Sequence, residues 1–266
     1  MIWPAEAIWE AVSPLLPRFT VEVLPEIDST NTELMRRARA GQIDPILLVA
    51  ERQTAGRGRL GRQWFSGDCA SPAGGFVDAA LPSLMFSLGL VLAPKDWSGL
   101  SLAVGLSIVE SLHPDLQLKW PNDAWLHSRK MAGILIETAS FGNMRYAVIG
   151  VGINIAPRDG QGLSTPPASL SELLPGTTAP ATLARVVEPM VRAIQRFETQ
   201  GFGPLRAAFH ARDLLYGQAV QCSSGLTGVG RGVDTDGALL VHTENGLTKI
   251  TSAEVSVRPV SPESAS

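Results

Sequence analysis

The chain has 266 residues, 45% of them hydrophobic, with a formal net charge of -3. That leaves room for one large domain, or a large one and a small one, around a sizeable core, and it excludes an overall basic field that would hold nucleic acid non-specifically, though a local patch is compatible with it. Cys69 and Cys222 lie far apart with no C-x-x-C, His113, His127, His210 and His242 have no ligand spacing, and no G-x-S-x-G occurs, which argues against a disulfide framework, a structural metal site and serine-hydrolase chemistry.

In chain order, the start Met1-Ile2-Trp3-Pro4-Ala5-Glu6 lacks a basic n-region, so no secretory signal is read and a cytoplasmic location is expected. Residues 5–16 have the period of a short amphipathic helix, and 19–24 alternate like a strand. In Glu26-Ile27-Asp28-Ser29-Thr30-Asn31-Thr32-Glu33 a polar cluster leads into a helix, with Thr30 and Glu33 spaced as a capping box. Three polar side chains in a row exceed what one cap needs, and a helix start also presents free N–H groups to an anion.

Residues 46–50 read as a strand, and Thr54-Ala55-Gly56-Arg57-Gly58-Arg59-Leu60-Gly61-Arg62-Gln63-Trp64 then sets three arginines and three glycines within eleven residues. Each glycine lets a ligand approach the main chain, and each guanidinium offers a planar fork to phosphate or carboxylate. Gly56, Gly58 and Gly61 also match G-x-G-x-x-G, but arginines fill the x positions and no helix opens after it, so a dinucleotide site is rejected. A solvated turn, a short Arg-Gly segment for RNA and an anion-binding loop remain as readings.

Residues 66–80 are rich in Gly, Pro and Ala and read as an irregular excursion, 83–92 as a strand and 98–112 as an apolar helix. The uncharged run 79–94 is too short to span a bilayer and holds Pro82 and Gly89, so no membrane segment is expected. Residues 124–127 and 131–137 look like a hairpin with Ser128-Arg129-Lys130 at its turn. The chain holds only four lysines, and Lys119 and Lys130 fall in this one stretch, which points to roles beyond solvation. Residues 146–155 form a further strand carrying Gly150 and Gly152, either a bulge or tight packing site or a place where something approaches the backbone. Residues 156–180, with five prolines, form a loop with a short helix near Leu170. Residues 181–212 read as one or two helices interrupted near Gly201–Pro204, and from Gly217 short strands at 219–222, 227–233, 238–242 and 247–250 mark a small β module.

The ordered motifs Asp28-Ser29-Thr30-Asn31, Gln53 to Arg62, Lys119-Trp120-Pro121-Asn122-Asp123, Arg129-Lys130-Met131-Ala132-Gly133-Ile134-Leu135-Ile136-Glu137 and Gly150-Val151-Gly152-Ile153-Asn154 resemble the biotin protein ligase (biotin-[acetyl-CoA-carboxylase] ligase) family from about Pro25 to Val260. The resemblance implies an α/β fold: a mixed central sheet covered by helices, of the class II synthetase-like biotin/lipoate ligase type, over residues 1–213, and a small SH3-like β barrel over 214–266. It implies that biotin and MgATP give biotinyl-5'-adenylate and pyrophosphate, and that the acyl group then passes to a lysine of the biotin carboxyl carrier protein of acetyl-CoA carboxylase.

By the same resemblance Lys130, Arg57 and Arg59 are the catalytic residues, meeting the biotin carboxylate and the phosphates. Ser29, Thr30, Asn31, Gln53, Gly56, Gly58, Gly133, Gly150 and Gly152 join them around biotin, while Arg62, Trp64, Asn122 and Asn154 sit on the nucleotide side, with Mg2+ brought by ATP. Lys119 and Asp123 either pair structurally or meet the carrier's lysine. About 25 residues precede the motif around Ser29, too few for the winged helix of many bacterial relatives, so no operator DNA binding is expected. A homodimer through exposed sheet edges accords with the family. The segment 67–81 is longer than its family counterpart. Two other functions stay open: a lipoate or octanoate transferase of the same superfamily, against which Arg57-Gly58-Arg59 argues, and a non-catalytic small-molecule binding protein, against which Lys130 argues.

Overall fold

The computed structural model describes residues 1–64, 81–160, 165–251 and 257–259. Among them, a seven-stranded mixed sheet is built from β1 (Thr20–Ile27), β2 (Ile46–Gln53), β3 (Ser83–Val91), β4 (Gln117–Lys119), β5 (Asp123–Leu126), β6 (Arg129–Phe141) and β7 (Met144–Asn154) in the order β1-β2-β3-β7-β6-β5-β4. Only the β1–β2 pair is parallel. The helix α2 (Thr30–Arg39) packs against β2, β3, β6 and β7, whereas α1 (Ala5–Val12), α3 (Leu100–Leu112) and α4 (Ala179–Gln200) pack among themselves, with α1 on β1, α3 on β4, β5 and β6, and α4 on β3. β3 is buried along all but its last residue, as a central strand between two covered faces must be.

A short helix α5 (Arg206–His210) leads into the strands β8 (Ala219–Cys222), β9 (Thr227–Val233), β10 (Leu239–Thr243), β11 (Gly246–Ile250) and β12 (Val257–Pro259), a five-stranded antiparallel sheet. The mixed α/β sheet followed by a small β module is the fold class expected from the sequence. One apolar core runs through both sheets, with Leu118 and Trp120 beside Phe209, Leu215 and Leu239. Trp120 Nε1 donates to the Gly237 carbonyl at 3.0 Å between β9 and β10, and Leu118 of β4 donates from N to the Arg212 carbonyl and accepts from Leu214 N, so the approach to the second sheet is anchored to β4.

Several local expectations change. The first helix ends at Val12 instead of residue 16, because Pro14 and Pro17 lie in the turns that follow. α2 is capped by Ser29, whose Oγ accepts from Thr32 N, instead of by Thr30. Glu33 pairs with Arg36 and Arg37 in place of closing a capping box, which leaves the Thr30 hydroxyl for other work. Gln117–Lys119 forms a strand that its three residues did not announce. Lys130 lies on β6 and not in a turn: His127 and Ser128 both take positive φ, at 45° and 62°, and make a two-residue hairpin loop in which Leu126 faces Arg129. The long segment 67–81 lies, apart from Leu81, outside the described residues. No helix among the described residues is long and apolar enough to cross a membrane.

Asp213 sits where the two sheets meet, 8% exposed, beside Leu118. Its Oδ1 accepts from Leu215 N at 2.9 Å, while Oδ2 is buried with no hydrogen-bond partner among the described residues. Burial therefore pushes its carboxyl from 3.8 up to about 6. A raised acid favours the fold in full below pH 3.8 and loses that contribution as pH rises through about 6. Asp213→Asn, neutral throughout, should be more stable than the unaltered chain above pH 7, by on the order of 1–3 kcal/mol, and gain nothing at pH 4. Thermal melts at both values check this; a gain of equal size at each would refute it.

Candidate active site

A cleft opens on the face of the sheet covered by α2. Its floor is the β6–β7 ladder, where Gly133 faces Gly152 and Leu135 faces Gly150. A Cβ on Gly152 would stand 2.4 Å from Trp64 Cε2, and one on Gly150 2.1 Å from Asn31 Oδ1. The bare stretch of sheet is what lets the indole and the amide rest on the backbone.

One wall comes from the start of α2. Because Ser29 takes the cap, Thr30 is free to donate from N (2.7 Å) and lies with Oγ1 3.1 Å from Gln53 Oε1. Ser87 Oγ, buried in the middle of β3, lies 2.6 Å from Asn31 Oδ1 and 2.7 Å from Thr30 Oγ1. Asn31 Nδ2 donates to the Leu135 carbonyl at 3.2 Å and to Glu137 Oε2 at 3.0 Å. Each of Ser29, Thr30 and Asn31 is under 5% exposed, so their rotamers are fixed by packing and by these bonds together. Such a wall offers hydroxyl and amide groups to a polar, uncharged ligand surface.

The opposite wall carries charge. The loop from Gly56 to Trp64 folds back on itself, with Gly58 N donating to the Arg62 carbonyl at 2.7 Å and Trp64 N to the Gly56 carbonyl at 2.9 Å. A Cβ on Gly56 would strike the Trp64 carbonyl at 2.4 Å, so the closure needs glycine there. Arg57 Nη1 lies 3.0 Å from Glu137 Oε1, Arg59 Nη1 donates to Asn122 Oδ1 at 3.3 Å, and Lys130 Nζ lies 2.7 Å from Asp123 Oδ1. Burial, partly offset by the nearby Asp123 carboxylate, holds the Arg59 guanidinium below its usual pKa. The Lys130 backbone is gripped on both sides, donating to the Pro166 carbonyl and accepting from Ala168 N and Asn154 Nδ2. Three cations thus converge on one cleft, where their charges add in attracting an anion.

Of the residues expected from the sequence, Ser29, Thr30, Asn31 and Gln53 line the cleft together with Arg57, Gly58, Arg59 and Trp64, and so do Asn122, Lys130, Gly133, Gly150 and Gly152. Gly56 closes the loop from behind. Arg62 is exposed, its carbonyl receiving Gly58. Asn154 is fully buried and bonds to the carbonyls of Lys130 and Ala168, an arrangement that braces Lys130. Of the residues left open, Asp123 pairs with Lys130, while Lys119 Nζ lies 4.8 Å from the Trp125 ring centroid.

Sequence reasoning gave no role to Ser87, Glu137 or Arg158. Ser87 was legible as a lone central hydroxyl in an apolar strand. Arg158, just beyond β7, lies 5.4 Å from the Trp64 ring centroid, with Lys130 Nζ 5.9 Å from the same centroid, and burial lowers its pKa. Among the described residues no group of three or more His, Cys, Asp or Glu could hold a metal ion. Asp123 and Glu137, the carboxylates that pair with cleft-lining residues, are engaged by Lys130 and Arg57.

The family model for the biotin/lipoate A/B protein ligase family matches residues 23–154, and that for the biotin protein ligase C-terminal domain matches 217–258. The chain is 35% identical to the bifunctional ligase/repressor BirA of Escherichia coli, over 90% of this chain and 74% of that one. It is 32% identical to the biotin--[acetyl-CoA-carboxylase] ligase of Mycobacterium tuberculosis, over 88% and 86% respectively. Its fold superposes on a biotin protein ligase from Aquifex aeolicus, solved in complex with biotin and ATP, with a TM-score of 0.72 and 28% identity over 90% of this chain and 99% of that one. A glycine-floored cleft with a polar wall and three converging cations, on a chain this similar to these proteins along most of its length, makes this protein a member of the biotin/lipoate A/B protein ligase family that carries the biotin protein ligase C-terminal domain.

Proposed function

We propose that the chain is a biotin protein ligase, which activates biotin with ATP and transfers it to a lysine of the biotin carboxyl carrier protein of acetyl-CoA carboxylase. The observation that carries this reading is the pairing, in one cleft, of an uncharged hydrogen-bonding wall over a bare sheet with Arg57, Arg59 and Lys130. Biotin has the matching form: a polar bicyclic head, an apolar chain and a terminal carboxylate.

In the first step a carboxylate oxygen attacks the α-phosphorus of ATP, the bond to the β-phosphate oxygen breaks and pyrophosphate leaves. Negative charge accumulates between two anions that repel in water, so the step needs fixed cations and close positioning. Lys130, a compact charge, meets the carboxylate and α-phosphate, and Arg57 and Arg59 hold them with planar forks. Ser29, Thr30, Asn31 and Gln53 face the head group, Gly133, Gly150 and Gly152 admit it to the sheet, and Trp64 covers it from the nucleotide side. Asn122 orients Arg59, and Asn154 braces Lys130. Mg2+ enters with the triphosphate as MgATP. In the second step the acceptor amine attacks the acyl carbon, the bond to AMP breaks and the amine sheds a proton. Excluding water matters, because a mixed anhydride hydrolyses.

Residues 1–213 form the catalytic part of this reading and 214–266 its C-terminal module. We place the enzyme in the cytoplasm with its carrier, and a homodimer through open sheet edges is the assembly that sedimentation would test. The test of function mixes the protein with MgATP, biotin or octanoate, and a biotin carboxyl carrier domain, and reads the carrier's mass. A biotin-sized gain that requires ATP is expected. An octanoyl adduct alone would move the chain to the lipoate branch, and no adduct would leave a binding protein.

A further inference from the structure

Glu137 is a carboxylate held against Arg57 and Asn31, two lining residues of a cleft arranged to attract anions, and the proposed chemistry gives it no task. It lies on β6 at the end of the glycine-bearing stretch, its side chain 21% exposed. It contacts both walls. Its Oε2 accepts from Asn31 Nδ2 of α2, whose Oδ1 is in turn held by Ser87. Its Oε1 lies 3.0 Å from Nη1 of Arg57, in a loop 80 residues away, with Oε2 3.3 Å from the same nitrogen. Both carboxylate oxygens therefore converge on one of the guanidinium's nitrogens.

An exposed arginine is free to sample many rotamers, and ordering it on a ligand costs side-chain entropy. A guanidinium tethered through one nitrogen has already lost that freedom, and the tether leaves its other donors to meet an acid. The tether is also built onto the wall that would receive the head group, through Asn31. The two ends of a bound acid, its uncharged head and its carboxylate, would therefore be read by side chains that share a single carboxylate.

We propose that Glu137 is a positioning residue that orients Arg57 for the carboxylate end of the acyl substrate, so that head-group wall and charged loop act as one unit. This rests on the biotin ligase reading of the cleft. It makes Glu137 a contributor to substrate affinity, despite carrying the same sign as the substrate. A bare counter-ion that the substrate had to displace would act in the opposite direction, weakening affinity.

The test is a double-mutant cycle on pyrophosphate release with MgATP, measuring KM for biotin and kcat separately. Glu137→Gln is isosteric and keeps an acceptor for Asn31, but turns the Arg57 tether into a neutral contact. It should raise KM for biotin about tenfold, the scale of one charge-assisted hydrogen bond, with a smaller effect on kcat and none on the melting temperature beyond a few degrees. In the Arg57→Ala background the same change should have little further effect, because its route runs through Arg57. Tighter biotin binding in Glu137→Gln would overturn the proposal in favour of a displaced counter-ion. A full tenfold effect retained in the Arg57→Ala background would overturn it in favour of an action through Asn31 alone. Absence of biotin-dependent pyrophosphate release from the unaltered chain would instead bring down the ligase reading beneath it, an outcome no variant can mimic.

Discussion

Lys130→Ala is expected to lower the rate of biotin-dependent pyrophosphate release by roughly 10²- to 10³-fold, the scale of removing one preorganised electrostatic donor from a reacting centre, while the chain stays folded. Three observations combine here. The Lys130 backbone is held by Pro166, Ala168 and Asn154, and its Nζ lies 2.7 Å from Asp123 Oδ1. Nζ also stands 3.1 Å from where a Cβ on Gly133 would be, so the ammonium hangs over the bare floor of the cleft. A charge fixed in that way needs little reorganisation when an anion arrives.

The fold should tolerate the change because the Lys130 side chain is 29% exposed, although leaving the 16% exposed Asp123 carboxylate without its partner costs on the order of 1–3 kcal/mol. Lys130→Arg should rescue poorly, since a planar fork cannot replace a compact ammonium between two anions. The measurements are pyrophosphate release, biotin affinity by calorimetry and a thermal melt. A fully active Lys130→Ala variant would remove Lys130 from the chemistry and return the cleft to a binding role.

Gly150→Ala should have the second-largest effect, abolishing measurable biotin binding or weakening it by at least about 100-fold through overpacking. The added methyl would lie 2.1 Å from Asn31 Oδ1 and 2.8 Å from its Cγ. Asn31 has nowhere to retreat: Ser87, the Leu135 carbonyl and Glu137 hold it, and it is 4% exposed. Displacing it would open the wall and break the Glu137 link together. The cost to the fold should be on the order of 1–3 kcal/mol, enough to lower the melting temperature without unfolding the chain. Gly142→Ala is the control. It strains a turn at φ +59° but meets nothing within 4 Å, so it should leave biotin binding intact. If Gly150→Ala binds biotin as well as Gly142→Ala does, the bare floor is not part of the site.

Much of this molecule could be read along the chain. Strand alternation and the apolar period of α3 and α4 are local signals, and local propensity and burial agree along these segments. The motif residues were likewise legible by type, because chemistry restricts what can meet an anion: Arg57 and Arg59 stand out in a glycine-rich stretch, Lys130 as one of only four lysines, and Gly150 and Gly152 in an apolar strand.

What the chain order could not supply is who faces whom. Asn31 and Glu137 are 106 residues apart and Arg57 and Glu137 are 80 apart. They meet because β6 and β7 pair with Gly133 opposite Gly152, and because β3 brings Ser87 beneath α2. A period of two marks a strand and its faces but carries no information about its neighbour, and a shift of one residue would turn every side chain to the other face. Turn chemistry misled in the same way: His127 and Ser128 adopt positive φ without a glycine between them, so Lys130 reads as a turn residue until the β5–β6 pairing places it on the strand. The residue types for binding an acid and a phosphate are thus local and written in the sequence. Their convergence is set by register and long-range packing, interactions between segments that no single segment encodes.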